Sequence, residues 1–189
     1  MKRGGGAGKG SDFERQTCKD FSLWISNGER DDIFWRTAGS GARATVRRRS
    51  SNISTCNSDG DMCLLDTSSA DKYGWFLDYY MVEIKRGYNH WRIDDFFNKK
   101  PSKDSLLHIW IRALLDAEKI GKLPLVIWKA DRRPTIYLLD GRIPIPWIER
   151  RAIFTPVAEG MGRYAKVEAT FEFLELLPSA LKRWIQAVK

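Results

Sequence analysis

The stretch Tyr79-Tyr80-Met81-Val82-Glu83-Ile84-Lys85 decides how this chain is read. Side chains alternate along a strand, so Glu83 and Lys85 share one face while Val82 and Ile84 share the other. A carboxylate and an ammonium near the end of an apolar strand are costly to bury unless a metal or a substrate uses them. Upstream, Asp59-Gly60-Asp61-Met62-Cys63-Leu64-Leu65 places an acid at the opening of a second apolar run. An acid there, followed by Glu-x-Lys on a neighbouring strand, is the layout of a Mg²⁺-dependent phosphodiesterase centre. Two carboxylates hold a hard cation and the lysine stands beside the attacked phosphate. The plain alternative is a same-face surface ion pair, worth no more than about 1 kcal/mol.

The whole chain bounds the partner. Its 189 residues, 43% of them hydrophobic, suffice for one domain with a sizeable core. A net charge of +8 favours a polyanion, nucleic acid before membrane. Three cysteines (Cys18, Cys56, Cys63) and two histidines (His90, His108) are too few for a zinc framework, and they suit free thiols in a reducing compartment. No apolar run approaches the roughly 18 residues of a membrane span, and the Gly-rich start lacks a signal-peptide core. The expectation is a soluble, cytoplasmic protein.

Residues 1–10, MKRGGGAGKG, suggest a disordered basic tail. They imitate a phosphate-binding loop, but Arg3 and Gly10 stand where the motif needs glycine and a hydroxyl residue. Ser11-Asp12-Phe13-Glu14 predicts a capping box opening a helix over 12–26, with Phe13, Thr17, Phe21 and Trp24 on one face and Asn27-Gly28 as its stop. Strands are predicted at 33–36, 61–65 and 76–85, the last two as a hairpin with a long tip at 67–75. A short helix is predicted at 91–98 and a longer one at 102–119. Strands follow at 125–128, 135–139 and 167–174, with 144–165 irregular, and an amphipathic helix at 178–188. This order predicts an α/β fold, a central mixed sheet flanked by helices, that includes the strands at 33–36, 61–65, 79–85 and 125–128.

Four ordered segments carry a family likeness: Phe13-Glu14-Arg15, Arg36-Thr37-Ala38-Gly39-Ser40-Gly41, Gly60-Asp61 and Glu83-Ile84-Lys85. Together they resemble the PD-(D/E)xK nuclease superfamily, and within it the archaeal-type Holliday junction resolvases that also occur in phages. The likeness spans roughly residues 11–130. It implies a restriction-endonuclease-like core over 11–141, leaving 142–189 as a C-terminal extension, a strand plus a helix packed on that core. Two departures stand out. Gly60 occupies the position where the family usually has proline, and the gap from Asp61 to Glu83 is long. That gap leaves Asp59, Asp66 and Asp78 as rival first acids; Asp61 is preferred because it directly precedes the apolar strand.

The resemblance also implies roles. Asp61, Glu83, the Ile84 carbonyl and Glu14 would hold Mg²⁺, with Mn²⁺ able to substitute. Lys85 would orient or deprotonate the attacking water or stabilise the transition state. Ser40 would join the catalytic set and, with Arg36, contact phosphate, since an arginine forks two phosphate oxygens and a Gly-Ser-Gly turn exposes N–H groups. Arg15 would contact phosphate; from its charge alone, the run Arg47-Arg48-Arg49 could be a DNA-gripping loop. Glu14 also has a local role open to it in the capping box, Arg36 and Ser40 could be an ordinary turn, and the arginine run a solvated face. His90 and Trp91 could stack on an exposed base, although core packing suits the tryptophan better. The expected activity is Mg²⁺-dependent, structure-selective DNA cleavage at four-way junctions by a homodimer, with no membrane partner, in the cytoplasm or in a host's cytoplasm if phage-encoded. Another nuclease of the superfamily, restriction-like or repair-like, and a branched-DNA binder without catalysis are the alternatives.

Overall fold

The structure, a computed structural model, describes residues 6–37, 59–97, 105–154 and 166–188. A five-stranded sheet forms its centre, in the order β3 (Tyr80–Arg86), β4 (Leu123–Lys129), β5 (Ile136–Asp140), β7 (Val167–Thr170), β6 (Arg151–Phe154). β3 and β4 run parallel, joined through helix α4 (Leu106–Glu118), and the remaining pairs are antiparallel. The fold is thus α/β with a mixed central sheet, as the element order predicts. The period-2 rule holds along β3: Val82 and Ile84 are buried on one face, while Glu83 and Lys85 turn to the other.

Helix α1 (Gly6–Ile25) packs on the first face. Phe21 is fully buried there, against Phe76 at 5.4 Å and Phe173 at 5.8 Å between ring centroids. The Ser22 hydroxyl accepts from the Ile33 and Phe34 N–H groups at 3.2 and 2.8 Å, tying α1 to strand β1 (Phe34–Arg36). Glu14 lies two turns before Phe21, so the packing that buries Phe21 aims Glu14 at the same side. Helix α4 covers the other face, where Trp110, Leu106 and Leu107 meet Val126, Trp128 and Leu138.

Several expectations are corrected. α1 begins at Gly6, inside the stretch expected to be a disordered tail, so Ser11 is within the helix and no capping box forms. Its hydroxyl accepts from Arg15 and Arg36 instead, at 2.7 Å each. The segments at 33–36 and 61–65 do not join the central sheet: β1 and β2 (Met62–Leu64) form their own antiparallel ribbon. The reason lies at Asp61. Its N–H donates to the Val82 carbonyl at 2.7 Å, but its carboxylate, not a backbone carbonyl, takes the next N–H, that of Ile84, at 2.8 Å. A side chain thus ends the ladder and β2 diverges from β3.

No β2–β3 hairpin forms either. Asp66 accepts from the Ser69 N–H and opens a helical turn that continues into α2 (Ala70–Tyr73) and α3 (Trp75–Tyr79), which bury Tyr73, Trp75, Phe76 and Leu77. The short helix expected at 91–98 is a 3₁₀ segment, Ile93–Phe97. Within the stretch expected to be irregular, 151–154 is strand β6. The chain from 142 to 151 is pinned to the sheet by buried acids: Asp140 holds Arg142, and Glu168 accepts from the Ile145 N–H at 3.1 Å. Helix α5 (Pro178–Val188) matches its predicted span.

Candidate active site

β3 is an edge strand of the sheet, and the candidate site lies along its free edge. Asp61 is 95% buried by side chain and held by the Ile84 N–H. The Lys85 ammonium lies 3.3 Å from Asp61 Oδ2 and also touches Glu83 Oε1. One lysine therefore joins the two acids that the sequence singles out, although 24 residues separate Asp61 from Lys85. The N–H and C=O of a strand residue point to the same edge, so the Ile84 carbonyl shares the edge that Asp61 occupies.

Glu14 reaches this edge from α1. Its Oε2 accepts from Arg36 Nη1 at 3.1 Å. Burial raises the Glu14 pKa, the Asp61 charge raises it further, and Arg36 and Lys85 oppose. Burial likewise raises the Glu83 pKa, with Asp61 adding and Lys85 opposing. At Lys85 burial works against the charge, but Asp61 and Glu83 outweigh it, so its pKa stands above the ordinary lysine value. In the metal-free chain Lys85 is thus held as an ammonium by the two acids.

Two of the rival acids are engaged elsewhere and the third is exposed. Asp59 pairs with Lys122 at 3.2 Å, Asp66 caps a helical turn and faces Arg30, and Asp78 is exposed on α3. Arg36, expected to contact phosphate, is held by Glu14 and Ser11. Arg15 is held by Ser11 and Asp12 on the outer side of α1. Ser40 and Arg47, Arg48 and Arg49 lie outside the described residues, as does Cys56. Cys18 and Cys63 are free thiols, and burial pushes Cys18 up to about 12. The sequence reading passes over Arg112 on α4, whose charge lowers the Glu83 pKa; a lone arginine on a helix gives no sequence signal.

An ordered Glu, Asp and Glu-x-Lys is thus gathered on one sheet edge. A family model described as "Phage putative PDDEXK endonuclease" matches residues 6–161. The chain belongs to this family of phage endonucleases. No curated protein and no solved structure matches it. Membership implies nuclease activity on DNA. Among the described residues no helix is long and apolar enough to cross a membrane.

Endonucleases of the PD-(D/E)xK superfamily generally use divalent metals, and the donor chemistry here fits one. Asp61 and Glu83 offer hard carboxylate oxygens, and a cationic ammonium already sits between them. Among the described residues no three acid, histidine or cysteine side chains already converge as a cage; Lys85 and Arg36 draw the acids in instead. Gly60 has its own reason. A Cβ there would stand 2.2 Å from the Val82 carbonyl oxygen, so neither alanine nor the proline of related nucleases fits this backbone.

A pH dependence follows. A carboxyl whose folded pKa is raised contributes stability below its unfolded value and loses it as pH rises through the folded one. For Glu83 that loss begins above the ordinary glutamate value of 4.5. Metal-free Glu83→Gln protein should therefore gain melting temperature over wild type as pH rises from about 4.5 toward neutrality. A pH series of thermal melts in EDTA measures this; a difference between the two proteins that does not change with pH would show that Glu83 is not held against its charge.

Proposed function

We propose that the protein is a Mg²⁺-dependent, structure-selective DNA endonuclease that resolves four-way junctions as a homodimer. The observation that carries the nuclease site is the single Lys85 ammonium held between Asp61 and Glu83 on the free edge of β3. Asp61, Glu83, the Ile84 carbonyl and Glu14 would hold the metal. When bound, it supplies Lewis-acid stabilisation of the phosphate and a more acidic water. Lys85 orients or deprotonates that water, or neutralises charge building on the phosphate. Arg36 exchanges Glu14 for a phosphate oxygen, and Arg15, Ser40 and Arg47–Arg49 add contacts along the backbone.

Support for junctions comes from the ordered likeness to junction resolvases and from the +8 charge, which doubles in a dimer. Two symmetric cuts need two sites related by a two-fold axis, and a homodimer gives that geometry most simply. The test pairs a labelled four-way junction with linear duplex of the same sequence, in Mg²⁺, Mn²⁺, Ca²⁺ or EDTA, alongside sedimentation. The expected result is a dimer, at least about tenfold tighter binding to the junction, cleavage with Mg²⁺ or Mn²⁺, and binding with little turnover in Ca²⁺. Log affinity should fall against log salt by about 0.9 for each phosphate neutralised. A monomer that cuts both DNAs equally would point to a general nuclease of the superfamily, and binding without cleavage in any metal to a branched-DNA binder.

A further inference from the structure

The chain leaves β3 after Arg86 and enters a turn that carries an exposed aromatic residue. Tyr88 has φ 50, a left-handed backbone that a bulky residue adopts only under strain, costing about 1–2 kcal/mol. The residue is 44% exposed. One face of its ring lies flat on Trp91, at 4.1 Å between centroids and 16° between planes. Trp91 is 1% exposed and packs in turn against Trp128 at 6.0 Å. Tyr88 is thus the open end of an aromatic column anchored in the core.

The column is braced rather than loose. The Trp91 N–H donates to the Tyr88 carbonyl at 2.9 Å, and the Gly87 N–H to the Lys129 carbonyl at 3.1 Å. Asn89 and Asp131 join the facing turn twice, through Asn89 Nδ2 to Asp131 Oδ2 at 3.2 Å and the Asp131 N–H to Asn89 Oδ1 at 2.9 Å. That facing turn holds another left-handed bulky residue, Arg132, at φ 59, followed by exposed Arg133. Arg86, which also pairs with Asp131 at 3.4 Å, and Lys129 lie over the Phe13 ring of α1. An exposed aromatic face among backbone-gripping cations is how proteins hold unpaired nucleotides.

The other exposed aromatic near the site serves this less well. Trp35 borders a groove of about 360 Å³ with Asp12, Asp31 and Asp32, where Arg15 and Lys19 are already paired with Asp12 and Asp31. Three carboxylates crowd that face.

We propose that Tyr88 is a stacking platform for a nucleobase that has left its pair beside the cleaved phosphate. The DNA recognised is then one with an unpaired nucleotide at or next to a branch. This rests on the nuclease reading for its placement, and it concerns recognition rather than hydrolysis.

The test uses a forked oligonucleotide carrying 2-aminopurine at the unpaired position next to the branch, and a fully paired duplex of the same sequence, both in EDTA. Wild-type protein should quench the 2-aminopurine and prefer the fork. Tyr88→Leu should lose about tenfold in fork affinity, keep its duplex affinity and abolish the quench, whereas Tyr88→Phe and Tyr88→Trp should retain both. No quench with wild type, or a Tyr88→Leu loss that is equal on the two DNAs or absent, would overturn the proposal. If Tyr88→Leu fails to fold, Tyr88→Asn, which suits the left-handed backbone, takes its place with the same expected losses. Adding Mg²⁺ separates the two readings: a Tyr88-dependent quench without strand cleavage ends the nuclease reading alone, and cleavage without that quench ends the platform alone.

Discussion

Asp61→Asn, Glu83→Gln and Lys85→Ala should each lower Mg²⁺-dependent DNA cleavage by about 10²–10⁴-fold, the range associated with removing one positioned catalytic group. The three side chains meet through one ammonium, so the losses should not add: the double variant Glu83→Gln with Lys85→Ala should be little worse than the poorer single one. DNA binding should survive and, for the two acid variants, should tighten, because a negative charge facing phosphate is removed. Glu14→Gln should cost less, since Glu14 pairs with Arg36 and acts on Asp61 through space, outside the Lys85 bridge. Asp59→Asn is the control. It weakens the ion pair with Lys122, away from the proposed centre, and should still cut. Single-turnover cleavage with a melting curve for each variant checks the set. Wild-type cutting by Glu83→Gln or Lys85→Ala would place the reaction elsewhere.

Gly60→Ala should be nearly as damaging, by another route. Its Cβ would be forced onto the Val82 carbonyl oxygen, 2.2 Å away, and would crowd the Val82 nitrogen at 3.0 Å. Both are backbone atoms in the middle of β3, where no side chain can swing aside. The segment must therefore move off the strand, which breaks the Asp61 N–H bond to Val82 and draws the Asp61 carboxylate away from Ile84 and Lys85. Overpacking of this kind costs about 1–3 kcal/mol. The activity loss should exceed what that stability loss explains, so the variant should stay folded at low temperature yet cut poorly. A Gly60→Ala protein with wild-type melting and cleavage would show that the close approach to β3 is not needed.

Much of this molecule was legible locally. The period-2 pattern of 79–85 gave β3 and put Glu83 and Lys85 on one face. Apolar spacing gave α1, α4 and α5, and the buried run at 125–128 gave β4, because amphipathic periods reflect a burial demand that each segment carries on its own. The ordered Glu, Asp and Glu-x-Lys pointed to the nuclease superfamily, and the family match bears that out.

Other features depended on partners far along the chain. Ser11 looked like a helix cap because its neighbours fit the pattern, yet the helix runs on to Gly6 and the hydroxyl serves Arg15 and Arg36. Residues 67–75 looked like a hairpin tip and 76–79 like the start of a strand; burial of Trp75, Phe76 and Leu77 made 75–79 helical. β1 and β2 looked like members of the central sheet, and a single carboxylate at Asp61 turned them into a ribbon. The sequence by itself determined β3, β4, α4 and α5 and the face that Glu83 and Lys85 share, since those follow from the repeat of the backbone. Only the tertiary structure decided that Asp61 meets Lys85, that Glu14 meets Arg36 and that Gly60 must be glycine. These are contacts between backbone edges and side chains distant in sequence, and no local period encodes them.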